Sequence, residues 1–217
     1  MIAALRKSKP ANFAELHARL GGVPLERIRM TPFPGSATEA DLENNRGLTC
    51  ELIDGVLVEK AMGTRESLLG SWINRQIGNY VDKDDLGVVL GEAGFIRLKD
   101  GQVRAPDATF IPWSSFPDEE LPQEAYWSVK PFLIVEVLSP DNTKAEIDRK
   151  LGEFFAFGCK LAWVVDPKSR TAKVHTSVAR FQIVDENGIL DAGRALPGFK
   201  LYMSDLFAKL KRRKPSK

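Results

Sequence analysis

The sequence predicts an α/β (α+β) fold, a mixed β-sheet flanked by helices, and three features carry that prediction. PFLIVEVL and LAWVVDP are apolar strands separated by a helical stretch, SPDNTKAEIDRKLGEFFAFG. Two such strands joined through a helix are the signature of a right-handed crossover. ELIDGVLVEKA sets two apolar runs around Asp54-Gly55, a two-residue hairpin signal. Residues 64–81 carry Leu68, Leu69, Trp72, Ile73, Ile77, Tyr80 and Val81 at the spacing of one helical face.

The remaining elements follow in order. Residues 12–20 (NFAELHARL) predict a short helix with Phe13, Leu16 and Leu20 on one face. TPFPGS reads as a connector that closes an N-terminal extension over residues 1–36. Thr38 can cap a helical turn in TEADLENN. VVLGEAGFIRL and QVRAPDATFIP read as strands joined at Lys99-Asp100-Gly101, and Gly158 stops the helix that follows PFLIVEVL. TAKVHTSV and ARFQIVD add two strands before a closing segment, LPGFKLYMSDLF. There is no internal repeat and no low-complexity segment.

The 217 residues suffice for one domain with a small extension. With 43% apolar and 28% charged residues, the composition is that of an ordinary globular protein. No stretch approaches the ~20 apolar residues of a membrane span, and MIAALRKSKP is too short in apolar residues for a secretory signal. A cytoplasmic protein with no membrane partner is the expectation. Cys50 and Cys159 lie in apolar segments without metal-ligand spacing and read as reduced, buried thiols. The net charge is only +2, and residues 209–217 hold six basic residues (Lys209, Lys211, Arg212, Arg213, Lys214, Lys217) and no acid. Such a tail can grip phosphate by counterion release, or can simply be a solvated terminus.

Three residues stand out chemically. Glu136 lies among apolar neighbours in Phe132-Leu133-Ile134-Val135-Glu136-Val137-Leu138, on the strand face shared by Ile134 and Leu138. A buried carboxylate must be paired, protonated or bound to metal. Asp107 follows Pro106 at a polar break in a β-like run, where a strand irregularity can re-aim a side chain; on the residues alone, an Asp bonding its own turn fits equally. Lys150 is three residues after Ile147 and four before Phe154, so it borders the apolar face of its helix. It can reach the carboxylates of the preceding strand, or lie in solvent beside Glu146 or Glu153.

The order ELIDG, helix, Pro106-Asp107, IVEVLSP, helical lysine and WVVDP resembles the Uma2 (DUF820) family of the PD-(D/E)xK restriction-endonuclease-like superfamily, over about residues 38–207. The resemblance implies a restriction-endonuclease-like core over residues 37–208, with the basic tail 209–217 outside it. It implies that Asp107 is the acid of PD and Glu136 the acid of (D/E)xK. The standard lysine position is Leu138 here, a departure; Lys150 on the next helix fits a migrated lysine, and Lys144 is a weaker substitute. Glu66, in the first turn of the helix over residues 64–81, matches a further acid of the superfamily and benefits from the helix dipole. Relatives commonly have a histidine near that helix start; this chain has Arg65-Glu66.

The implied chemistry is hydrolysis of DNA phosphodiesters by an Asp/Glu/Lys site holding Mg²⁺ or Mn²⁺. Asp107, Glu136 and the main-chain carbonyl of Val137 are the implied metal ligands, hard oxygen donors suited to such ions. Asp107, Glu136, Lys150 and Glu66 are the implied catalytic group. Two other classes remain open: a catalytically silent nucleic-acid-binding relative, and a regulatory protein whose acidic site is vestigial. The modest net charge lacks the strong basic face of a dedicated duplex binder. A symmetric homodimer would suit cutting two strands.

Overall fold

The computed structural model describes residues 10–45, 49–61 and 63–211, apart from the side chain of Glu119. Residues 1–9 of the N-terminal stretch, and Arg212, Arg213, Lys214 and Lys217 of the basic tail, lie outside the described residues.

Asp54 and Gly55 take φ values of 49° and 76°, the left-handed pair that a tight hairpin turn requires. They join β1 (Cys50–Ile53) to β2 (Val56–Glu59) in the register the sequence predicts. Upstream, α1 (Phe13–Arg19) turns Leu16 and Leu20 inward, where they pack with Val23 and Ile28 on Ile53, Val56 and Val58 of this hairpin. Phe13, expected on the same face, is instead exposed in the first turn and stacks on His17. The short helix α2 (Glu39–Asn44) begins at Thr38, which forms a capping box with Asp41.

Two sheets organise the rest. The smaller has strand order β2-β1-β5-β4 and includes β4 (Ile96–Lys99) and β5 (Gln102–Arg104). The larger has order β10-β9-β8-β7-β6-β3, built from β3 (Gly87–Gly91), β6 (Ala108–Pro112), β7 (Leu133–Val137), β8 (Leu161–Asp166), β9 (Thr171–His175) and β10 (Phe181–Val184). Its β7 and β8 run parallel and all its other pairs are antiparallel, so the sheet is mixed. Helix α4 (Lys144–Phe157) connects the parallel pair.

The two long strands expected on either side of Gly101 are each divided. VVLGEAGFIRL supplies β3 to the larger sheet and β4 to the smaller, broken at residues 92–95. QVRAPDATFIP supplies β5 and β6 in the same way, broken at residues 105–107, where Pro106 has no N–H to give a ladder. One bent hairpin therefore runs through both sheets, and Asp107 sits at the junction. The closing segment contributes β12 (Lys200–Tyr202), which pairs with β11 (Ile189–Asp191), and the short helix α5 (Met203–Ala208). Three-residue strands are too short for periodicity to reveal.

Strand alternation decides what covers each face of the larger sheet. Leu133, Val135 and Val137 of β7 meet Leu69, Trp72, Ile73 and Ile77 of α3 (Thr64–Lys83), with Trp163 of β8 in the same cluster. Ile134 points the other way, onto Ile147, Leu151 and Phe154 of α4. Leu68, expected on the apolar face of α3, is exposed. The mixed sheet thus lies between α3 and α4, the flanked α+β arrangement predicted from the sequence. Cys50 and Cys159 are buried and free, and among the described residues no helix is long and apolar enough to cross a membrane.

Candidate active site

Glu136 shares its strand face with Ile134, so it points towards α4, and α4 is entered through a chain of caps. Ser139 N–H bonds Asn142 Oδ1, Thr143 caps the helix, and Glu146 completes the capping box. Glu146 is also buried against Arg27, whose Nη2 lies 2.6 Å from its Oε1. These contacts fix the start of α4, and two turns further on Lys150 faces the sheet. Its Nζ is 2.7 Å from Glu136 Oε1 and 2.9 Å from Glu51 Oε1, with all three side chains buried. Lys150 is therefore not a solvated lysine beside Glu146 or Glu153. Arg27 holds the first of these, and Arg104 and Arg149 hold the second.

Glu51 of β1 is the hub that the sequence reading passed over. Its Oε2 pairs with Arg104 Nη1 at 2.8 Å, and its Oε1 accepts the Ala105 N–H at 2.9 Å. It thereby grips both Lys150 and the break that carries Asp107. A signal existed: Cys50-Glu51-Leu52-Ile53 puts an acid among apolar strand residues, as the Glu136 strand does. Lys60, at the end of β2, also went unread. Its Nζ is 3.0 Å from Asp107 Oδ1 and donates to Glu92 O at 3.3 Å. Nothing in Val58-Glu59-Lys60 distinguishes it from a solvated lysine.

Asp107 is itself tied to β7. Its N–H bonds Val135 O at 3.0 Å, and its Oδ2 accepts the Val137 N–H at 2.7 Å. The carboxylate thus supplies the acceptor for the Val137 N–H beside the break in the ladder at residues 105–107. Asp107, Glu136, Val137 and Lys150 line one narrow cleft together with Glu51 and Lys60. Glu66 is half-buried and shares a small neighbouring pocket with Asp107, Val137 and Glu92. Its carboxylate folds back over Gly63, where an added Cβ would stand only 1.9 Å from Oε2. Lys144 is a surface residue, its side chain 83% exposed and paired with Asp148.

The charges of the cleft are unequal in environment. Burial pushes the Glu136 carboxyl up to about 7, with Lys150 opposing and Asp107 adding to the rise. Burial acts on Glu51 in the same sense, but Lys150, Arg104 and Lys60 together overcome it and hold Glu51 well below the usual carboxylate range. Lys150 is raised above an ordinary lysine: burial works against its charge, and Glu136 and Glu51 outweigh it. It is an ammonium at neutral pH.

A divalent ion at Asp107, Glu136 and the Val137 carbonyl fits this donor set in two respects. The donors are hard oxygens, and buried Glu136 Oε1 accepts no hydrogen bond, the close Lys150 ammonium lying off hydrogen-bond geometry. No cluster of three or more His, Cys, Asp or Glu side chains among the described residues is arranged to hold an ion. Two carboxylates and a carbonyl would need waters or substrate to complete a shell.

Residues 38–204 match the family model described as Uma2, "Putative restriction endonuclease". Among solved structures the fold is similar to that of a protein from Anabaena variabilis described as a "putative nuclease belonging to DUF820". The TM-score is 0.70 over 80% of this chain and 99% of that one, at 20% sequence identity, which makes it a likeness of fold. No curated protein is detectably similar to the chain. The match to residues 38–204 covers most of the sequence, and the chain belongs to the Uma2 family.

Proposed function

We propose that the protein is a metal-dependent endonuclease that hydrolyses phosphodiester bonds in DNA. The observation that carries this reading is the buried Glu136 carboxylate, held in one cleft with Lys150 and with an Asp107 bonded to the neighbouring Val137. Hydrolysis of a phosphodiester needs an oriented water, neutralisation of charge on the phosphoryl oxygens and help for the leaving oxygen. Mg²⁺ or Mn²⁺ held by Asp107, Glu136 and the Val137 carbonyl would lower the pKa of a bound water and polarise the phosphate.

The protein's own groups divide the remaining work. Lys150 keeps its proton at neutral pH, so it acts as a cation and hydrogen-bond donor. It can orient the attacking water or offset phosphate charge, and it is no general base. Glu51 holds that ammonium from behind and fixes Ala105, two residues before Asp107. Asp107 orients the end of β7 through the Val137 N–H. Glu66 of α3 lines the neighbouring pocket that also touches Asp107 and Val137 and is a candidate for a further outer ligand through water.

One observation favours a second reading, a silent nucleic-acid-binding or regulatory relative: Lys60 and Lys150 already neutralise Asp107 and Glu136 without any ion. Calorimetry with Mn²⁺ and nicking of supercoiled plasmid separate the two. The wild type is expected to bind Mn²⁺ and nick DNA, and Glu136→Ala to lose both. Absence of Mn²⁺ binding by the wild type overturns the metal mechanism. Binding without cleavage of single-stranded, duplex and structured DNA selects the silent reading.

A further inference from the structure

Lys60 belongs to no motif, yet it pairs with Asp107, the most exposed carboxylate of the cleft's charge cluster. Three carboxylates, Glu51, Asp107 and Glu136, stand in ion pairs with three cations, Lys60, Lys150 and Arg104. With all three carboxylates ionised, the three negative and three positive charges balance. A divalent ion entering it would bring two further positive charges into a buried space, which is unfavourable unless a cation leaves or an anion arrives.

The geometry identifies which cation can leave. Lys150 is clamped between Glu136 and Glu51, and Arg104 between Glu51 and Glu153. Either would abandon two carboxylates. Lys60 holds one carboxylate and one carbonyl, from the residue just past the end of β2. Its side chain is 5% exposed against 19% for Asp107, so the ammonium is covered on a long, flexible stem beside a more open carboxylate. The contested atom is also defined. Asp107 Oδ2 is committed to the Val137 N–H of the strand, so Oδ1, held only by the Lys60 ammonium, is the oxygen a metal can gain by displacing a side chain.

We propose that Lys60 and the divalent ion compete for Asp107 Oδ1, and that the displaced Lys60 ammonium contacts the substrate phosphate, so that ion and DNA load cooperatively. This rests on the metal-site reading above. Lys60 then lowers metal affinity in the free protein, and the phosphate, by accepting the lysine, restores it. By linkage the ion must strengthen DNA binding by the same factor.

The test is calorimetric titration of Mn²⁺ into the wild type, Lys60→Met, Lys60→Gln and Lys60→Arg, each alone and with a nuclease-resistant phosphorothioate DNA duplex. Thermal unfolding of each protein without metal checks that it is folded. Without DNA, the Met and Gln variants are expected to bind Mn²⁺ about tenfold more tightly than the wild type, and the Arg variant no more tightly. The duplex is expected to tighten Mn²⁺ binding about tenfold in the wild type and less than about threefold in the neutral variants. If folded Met and Gln variants bind Mn²⁺ no better than a wild type that does bind it, competition at Oδ1 is wrong. Equal tightening by the duplex in wild type and neutral variants removes the phosphate role. A wild type that binds no Mn²⁺ overturns the metal site itself, and this inference with it.

Discussion

The two faces of β7 are both closed to solvent, yet they are built on opposite principles. Towards α3 the strand presents Leu133, Val135 and Val137 to an apolar cluster that includes Trp163, Ile73 and Ile77. Towards α4 it presents Ile134 and then Glu136, which enters a network of Lys150, Glu51, Arg104 and Glu153. The first face gains stability in proportion to apolar area removed from water. The second sets desolvation against Coulomb attraction, and such networks are often no better for stability than well-packed hydrocarbon. The contrast assigns stability to one face and the proposed chemistry to the other. It also explains the tie between sheets: the charged face needs Glu51 and Arg104, which the smaller sheet supplies.

The largest expected effect lies on the apolar face. Trp163→Ala removes a fully buried indole from the α3 cluster and should cost about 3–5 kcal/mol of unfolding free energy, read from urea denaturation. The folded fraction should retain its Mn²⁺ affinity within a few-fold. A selective loss of metal binding in folded protein would break the division between the faces.

The charged face should respond to pH instead. Glu136 titrates near 7 when folded and near 4.5 when unfolded, so between these values the folded state binds the extra proton. Stability from this group is therefore greatest at low pH and falls as pH rises through that window, by up to about 3 kcal/mol. Glu51 behaves oppositely: its folded carboxyl is held low, and its contribution is lost as pH falls below the ordinary carboxylate range. Glu136→Gln should abolish the decline between pH 4.5 and 7 in metal-free protein while leaving the acid limb. Urea midpoints across the pH range for wild type and variant measure this. An unchanged decline in the variant would assign it to another group.

The sequence revealed this architecture unevenly, and the reasons are physical. The apolar face was legible because Leu69, Trp72, Ile73 and Ile77 repeat at helical spacing and the β7 strand alternates. Glu136 was legible because a carboxylate among six apolar residues is anomalous. Glu51 carries a similar anomaly, but the hairpin signal of Asp54-Gly55 accounted for its segment without it. Lys60 and Arg104 have no one-dimensional signature, since their partners Asp107 and Glu153 are 47 and 49 residues away. The division of the two long strands was hidden for a related reason. A run of β-formers through residues 102–112 does not record that its halves pair in different sheets, and only Pro106 marks the break.

Lys144 and Lys150 sharpen the comparison at its small end, because both were candidates for the migrated lysine and they differ only in where the helix turns them. Lys144 stands in the first turn of α4, largely in solvent, with Asp148 one turn on as its partner. Exposed pairs at this spacing contribute about 0.3–0.5 kcal/mol, and a lysine at a helix N-terminus is opposed by the dipole. Lys144→Ala should therefore shift stability by less than about 0.5 kcal/mol. Without a path to Glu136, it should leave Mn²⁺ affinity and plasmid nicking within about twofold of wild type. A tenfold loss of nicking in this variant, with stability unchanged, would mean that Lys144 contacts substrate from the surface and that the lysine function is shared between two turns of α4.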